Sequence, residues 1–200
     1  MGTGLHSEIP ASTVHLCIDM QRLFAEDTAW RTPWMSKVLP SVEALCAHRP
    51  ERTCFTRFIP PLRAEDCEGT WRRYWERWGA MTLEHLEPSK IELVPELARF
   101  VPPAQVLDKN LYSPWLETTL HADLRRAKVD TLVVSGGETD VCVLAAVLGA
   151  VDLGYRIIVV TDALCSGSDE DHDRLLALYH DRYSQQIETA VCSEVCDAWQ

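Results

Sequence analysis

Short runs of Val, Ile, Leu, Cys and Phe alternate along this chain with longer stretches in which apolar residues recur every three or four positions. Runs of the first kind predict strands, and stretches of the second kind predict helices. The strands are TVHLCID (13–19), RTCFTRF (52–58), QVLDK (105–109), TLVVSG (131–136), YRIIVVTDA (155–163) and QIETAVCS (186–193). The helices are SKVLPSVEALCAHR (36–49), GTWRRYWERWGAMT (69–82), a short one opened by Pro95, SPWLETTLHADLRRAK (113–128), TDVCVLAAVLGAVDLG (139–154), SDEDHDRLLALYHDRY (168–183) and SEVCDAW (193–199). Gly154 is placed to stop its helix, and Ser168 to cap the next, whose first turn is acidic.

Most of the strand runs are continuously apolar rather than alternating, so both of their faces are expected to be covered. With helices interleaved, this predicts an α/β fold: a doubly wound, Rossmann-like parallel sheet of six strands with helices on both faces. No linker, repeat or low-complexity stretch divides the chain, so one domain is expected over 1–200, with 1–12 as an N-terminal extension. The pattern alone does not give the order of the strands.

Composition narrows the partners. Hydrophobic residues make up 46% of the chain, enough for a full core. The formal net charge of −11 argues against a nucleic-acid binder. No apolar run approaches the roughly 20 residues of a membrane span, and the N-terminus has no secretory signature, so a cytoplasmic protein is expected. The eight cysteines are scattered without a CxxC pair, which fits free buried thiols and no structural metal.

In a doubly wound fold, ligands bind beyond the carboxyl ends of the strands. Asp19 ends the first strand, Lys109 the third and Asp162 the fifth, while Gly136 to Cys142 follow the fourth. Read singly, these are a turn acid, a solvated lysine, a loop and a core thiol. Together they make a nucleophilic site. Cys142 at a helix start is expected to have a lowered thiol pKa. Asp19 would serve as base, Lys109 as the cation that orients it, and the GGETDVC backbone as a source of N–H donors to an oxyanion.

The segments CIDMQRLF, LDKNLYSPWLETTL and SGGETDVCVLAAVLGAVDLGYRIIVVTDALCS resemble the isochorismatase-like cysteine hydrolase superfamily from about Thr13 to the C-terminus. The resemblance implies the strand order 3-2-1-4-5-6 and an Asp19–Lys109–Cys142 triad. It also implies a cis peptide at Gly137–Glu138, with an oxyanion hole formed by the N–H groups of Glu138 and Cys142. The implied activity is hydrolysis of a C–N bond other than a peptide bond, in an amide, ureido or carbamoyl group, through a thioester and without a cofactor. The implied partners are a small amide-type substrate and further copies of the chain, as a dimer or tetramer.

Two branches of the superfamily fit less well. Nicotinamidases hold a metal with Asp and His after the second strand, whereas TRFIPPLRAEDCEGTW (56–71) has no His. Vinyl-ether hydrolysis of the isochorismatase type does not use the cysteine. It stays as an alternative, beside a non-catalytic binding protein on the same fold. Gln21 is expected to support the site by hydrogen bonding. Phe24, Tyr112, Trp115 and Thr139 are candidates for substrate contact. The stripe Trp71, Tyr74, Trp75 and Trp78 fits either the core or an interface, with one ring as a possible pocket wall. Arg57 fits a salt bridge better than a substrate carboxylate, and His172 fits packing better than catalysis.

Overall fold

The computed structural model describes residues 4–200. Its strands are β1 (Val14–Ile18), β2 (Thr53–Phe58), β3 (Gln105–Lys109), β4 (Thr131–Gly137), β5 (Arg156–Cys165) and β6 (Ile187–Ala190). All pairings between them are parallel, in the order β3-β2-β1-β4-β5-β6. The helices are α1 (Arg22–Ala25), α2 (Met35–His48), α3 (Gly69–Arg77), α4 (Pro95–Ala98), α5 (Leu120–Arg126), α6 (Leu144–Asp152), α7 (Asp169–Asp181) and α8 (Cys192–Ala198).

Successive strand residues face opposite sides, and here both sides are apolar. Cys17, Val133, Ile158 and Val160 join one core with residues of α2, α3, α4 and α8. Leu16, Ile18, Leu132, Val134, Ile157 and Val159 join the other with α5, α6 and α7. A sheet sandwiched in this way needs no polar alternation, which is why its strands read as continuous runs. The chain before Thr13 is tied to the sheet end: Ile9 bridges to Trp199, and Arg156 donates to the Ser7 and Glu8 carbonyls. Among the described residues no helix is long and apolar enough to cross a membrane.

Three elements differ from the sequence reading. The stretch 113–119 is not helical, because Glu117 takes a left-handed φ of 58° and the Thr118 hydroxyl turns back to the Pro114 carbonyl. The helix after β4 opens with a π-helical turn, Thr139–Val143, before α6 begins. β5 runs on to Cys165, so Asp162 lies inside it. There its carboxylate accepts from the Cys192 N–H at 2.7 Å, at the start of α8, rather than facing the crevice. Gly154 with φ +82° and the Ser168 cap on Asp171 stand as the sequence predicts.

Candidate active site

Strand order reverses between β1 and β4, and the crevice beyond their carboxyl ends is where such sheets bind ligands. Asp19 leaves β1 with a left-handed φ of 48°, a conformation that costs a non-glycine residue about 1–3 kcal/mol. It is held there by several bonds. Its N–H donates to the Thr56 carbonyl and hydroxyl, and its own carbonyl accepts from the Gln21 N–H at 2.8 Å. The carboxylate accepts from the Thr56 hydroxyl at 2.5 Å and from Lys109 Nζ at 2.7 Å. Lys109 reaches it from β3 by crossing the end of β2, with Nζ 5.1 Å from the centre of the Phe58 ring and a second bond to the Leu111 carbonyl.

Gly136 lets β4 enter this arrangement. At φ +109° an added Cβ would lie 2.1 Å from the Ile18 carbonyl oxygen, so only glycine permits β1 and β4 to approach this closely. The next residue pair, Gly137–Glu138, is joined by a cis peptide bond. The Val141 and Val143 N–H groups both donate to the Glu138 carbonyl, which closes the wide turn that carries Cys142. The Cys142 thiol is close enough to Asp19 and Lys109 for both charges to act on its ionisation.

All three side chains are nearly out of water: Asp19 is 0%, Lys109 2% and Cys142 5% exposed. Burial therefore pushes the Cys142 thiol well up, the Asp19 charge adds to this, and Lys109 opposes it. The expected lowered thiol pKa is thus corrected. Lys109 does not outweigh desolvation and the Asp19 charge, so the resting group is a thiol. Burial also pulls Lys109 down, but Asp19 and Cys142 more than offset it, and its net shift is upward. Lys109 is therefore a fixed cation.

The remaining predicted residues divide sharply. Tyr112 packs against the core that holds Cys142; burial raises its pKa, and a charge on Cys142 adds to the rise. Gln21 is not free for a substrate. Its amide donates to the Phe58 and Ile91 carbonyls and accepts from the Phe58 N–H at 2.7 Å, which ties the end of β1 to that of β2. The Thr139 hydroxyl is spent on the Cys165 carbonyl and the His172 ring. Phe24 is buried against Trp30, their centroids 6.2 Å apart. Trp115, in the 113–119 loop, packs against α6, donating to the Ala146 carbonyl at 2.8 Å and stacking on Tyr155.

The aromatic stripe of α3 spans core and crevice. Trp75 is buried and stacks on Phe58, whereas Trp71 and Tyr74 reach Tyr112 at 4.8 Å and 6.3 Å. Arg57 is held by Asp108 at 2.8 and 2.9 Å and by Glu92. His172 packs on Trp34, 5.2 Å between ring centres. Sequence reasoning missed Thr56 and the ring of Phe58. A Thr in a mostly apolar strand, two residues before its end at Phe58, was the available signal for Thr56.

Among the described residues, no three His, Cys, Asp or Glu side chains gather as metal ligands. A cavity of about 630 Å³ opens at the other end of the sheet, between Val14, Thr53, Gln105 and Leu120, and none of the triad lines it.

The family model for the isochorismatase domain matches residues 13–191. The chain belongs to the isochorismatase family. An uncharacterized isochorismatase family protein of Bacillus subtilis (strain 168), YwoC, is 33% identical over 104 residues, covering 49% of this chain and 55% of its own. The chain thus spans about half the length of the first curated relatives it matches. Nicotinamidase 3 of Arabidopsis thaliana is 26% identical over 163 residues, 80% of this chain and 77% of its own. A cysteine hydrolase from Pseudomonas syringae pv. phaseolicola 1448A superposes with a TM-score of 0.82 at 21% identity, covering 94% of this chain and 92% of that one. At that identity the likeness establishes the fold. Isochorismatase-family members are hydrolases, nicotinamidases among them.

Proposed function

We propose that this isochorismatase-family protein hydrolyses a C–N bond of a small amide, ureide or carbamate with Cys142 as nucleophile. The observation that carries this reading is the buried Lys109–Asp19 pair, 2.7 Å apart, whose charges both act on the buried Cys142 thiol. A buried charge pair is a weak device for stability, whereas a base held against a buried thiol is a device for chemistry.

In this reading the reaction has two stages. Asp19 takes the proton of Cys142 as sulfur attacks the carbonyl carbon. The oxyanion is received by the Glu138 and Cys142 N–H groups. Collapse expels the amine, which takes the proton from Asp19 and leaves a thioester. Asp19 then removes a proton from water, the hydroxide adds to the thioester, and the acid departs as the proton returns to sulfur. Lys109 keeps its charge throughout and holds Asp19 in place. The raised thiol pKa suits this order, because proton transfer is coupled to attack rather than completed beforehand.

The test is turnover of an amide, ureide and carbamate panel by the wild type, Cys142→Ala and Asp19→Asn. Loss of turnover in both folded variants is expected. Turnover that survives in Cys142→Ala would sink the thioester route, and turnover of a vinyl ether by that variant would favour the alternative chemistry.

A further inference from the structure

The mechanism uses the main chain of the turn around Cys142 and leaves the side chains of Glu138, Thr139 and Asp140 unassigned. All three close on one place, the connection from β5 to α7. The Glu138 carboxylate accepts from the Gly167 N–H at 3.2 Å. The Thr139 hydroxyl donates to the Cys165 carbonyl at 3.1 Å. The Asp140 carboxylate accepts from the Ser166 hydroxyl at 2.5 Å, and that hydroxyl accepts in turn from the Ser168 N–H at 3.4 Å. Three consecutive residues of one loop thus hold three consecutive residues of another. An added Cβ at Gly137 would lie 2.9 Å from Cys165 Sγ, so Cys165 also packs directly beneath the residue before Glu138.

A fourth contact comes from the first turn of α7, where His172 Nδ1 lies 2.9 Å from the Thr139 hydroxyl oxygen. A carbonyl only accepts, so the Thr139 proton goes to Cys165 and its oxygen accepts from the ring. Both contacts are then hydrogen bonds, with the ring hydrogen on Nδ1. Burial lowers the His172 pKa and so favours the neutral ring. Thr139 is 0% and His172 4% exposed, so water does not replace either partner once it is lost.

The internal bonds of the turn, from the Val141 and Val143 N–H groups to the Glu138 carbonyl, set its shape. The bonds to β5 and α7 set where it points. Donors stabilise an oxyanion when they are aimed before the charge develops, and they stay aimed only if a second layer of contacts holds them.

We propose that Thr139, Ser166 and His172 are positioning residues for acyl transfer at Cys142: their hydrogen bonds brace the turn against β5 and α7 and so hold the Glu138 and Cys142 N–H groups on the oxyanion. None of the three touches the substrate. The brace goes beyond the proposed function and rests on it for the acyl-transfer step.

Acyl transfer can be followed with a generic ester. p-Nitrophenyl acetate acetylates a thiol: sulfur bonds to the acetyl carbon, p-nitrophenolate leaves and the thiol proton is released. Methyl methanethiosulfonate converts the same thiol to a methyl disulfide and releases methanesulfinate and the proton, with no oxyanion on carbon. Peptide mass spectrometry of the full chain gives both rates at Cys142. Their ratio cancels differences in thiol exposure and ionisation.

The wild-type ratio should exceed that of N-acetylcysteine by about tenfold or more. Thr139→Val and His172→Phe should each lower it about tenfold, and Ser166→Ala about threefold. Thr139→Ser keeps the hydroxyl, and His172→Asn keeps an N–H donor near Nδ1, so both should stay within about twofold of the wild type. Should the Val and Phe variants fail to fold, Ser166→Ala, which removes one hydroxyl, carries the test. A purely structural role would change both rates alike and leave the ratio where it was.

A wild-type ratio equal to that of N-acetylcysteine overturns the proposal, as does a ratio that the Val, Phe and Ala variants leave unchanged. A fall that Thr139→Ser and His172→Asn share in full also overturns it. An amide panel separates the two readings. Lowered ratios with no amide turned over keep the brace and defeat the C–N hydrolase. Amide turnover with ratios untouched by the variants keeps the hydrolase and defeats the brace.

Discussion

Lys109 Nζ lies 2.7 Å from Asp19 Oδ2 although their strands are not neighbours, since β2 stands between them. Adjacent strands are about 4.8 Å apart, so the lysine chain has to cross a full strand to reach the acid. It crosses above Phe58, whose partner in the β2–β3 ladder is Lys109 itself. The ring excludes water on one side, and the Thr56 hydroxyl fills the other oxygen of Asp19. Three strands thus combine to hold one charge pair.

This pair yields the first prediction. Lys109→Met should leave Asp19 as a buried, uncompensated carboxylate and cost about 3–5 kcal/mol. The double variant Asp19→Asn/Lys109→Met should recover most of that loss, because no charge is then stranded. Urea unfolding of the four proteins in the cycle measures the coupling. If the single variant loses less than about 1 kcal/mol, the pair is not buried as one unit.

A second prediction concerns the pH dependence of Cys142. Its thiol pKa is raised chiefly by burial, then by the Asp19 charge, and Lys109 opposes the rise. A thiolate-limited alkylation rate should therefore still climb above pH 8.5, the ordinary thiol range. Asp19→Asn removes a raising charge and leaves Lys109 to stabilise the thiolate, so the profile moves to lower pH. Lys109→Met removes the lowering charge and moves it to higher pH. Site-resolved iodoacetamide labelling against pH gives the curves, and shifts of the opposite sign would refute this electrostatic account. At neutral pH in the empty protein, the half-buried Cys67 and Cys196 should label ahead of Cys142.

The third prediction compares two glycines of positive φ. Gly136→Ala drives a methyl to 2.1 Å from the Ile18 carbonyl oxygen at φ +109°, and the loss should exceed about 4 kcal/mol or prevent folding. Gly154→Ala at φ +82° meets nothing within 4 Å and should cost only about 1 kcal/mol of backbone strain. Thermal or urea unfolding of both variants checks the contrast. Equal losses would mean that dihedral strain, and not the contact between β1 and β4, makes Gly136 necessary.

Much of this was legible in the chain. Continuous apolar runs announced a sheet covered on both faces, and Asp19, Lys109 and Cys142 each end or follow a strand that the pattern located. What failed to read was the destination of polar groups. Gln21 and Thr139 have the chemistry of substrate contacts, but their hydrogen bonds close on Phe58, Ile91, Cys165 and His172, partners 26 to 70 residues away. Asp162 looked like a strand end because the apolar run breaks there, while β5 continues for three more residues to Cys165. Periodicity reports burial along an element. It does not report which distant carbonyl a side chain meets. The direction of the thiol pKa was missed for a related reason, since a helix start is visible in sequence and full desolvation is not.

The last prediction separates two aromatic residues that the sequence placed together. Trp115 donates to the Ala146 carbonyl and stacks on Tyr155, 5.5 Å between ring centres and 18° between planes. Its ring also fills the space over Gly149, where an added Cβ would lie 2.3 Å from Cδ1. Its contacts are those of a residue that docks the 113–119 loop onto α6. Tyr112 instead packs against the core that holds Cys142, with Trp71 and Tyr74 around it. Trp115→Phe should therefore cost about 1–2 kcal/mol of stability through the lost hydrogen bond and area, and leave kcat/KM for any amide turned over within about twofold. Tyr112→Phe should change stability by less than about 1 kcal/mol yet shift kcat/KM about tenfold, because its hydroxyl is close enough to Cys142 for a charge there to act on it. Unfolding curves and steady-state kinetics on the two variants decide between these roles. If Trp115→Phe lowers kcat/KM as far as Tyr112→Phe does, Trp115 belongs to the pocket wall after all.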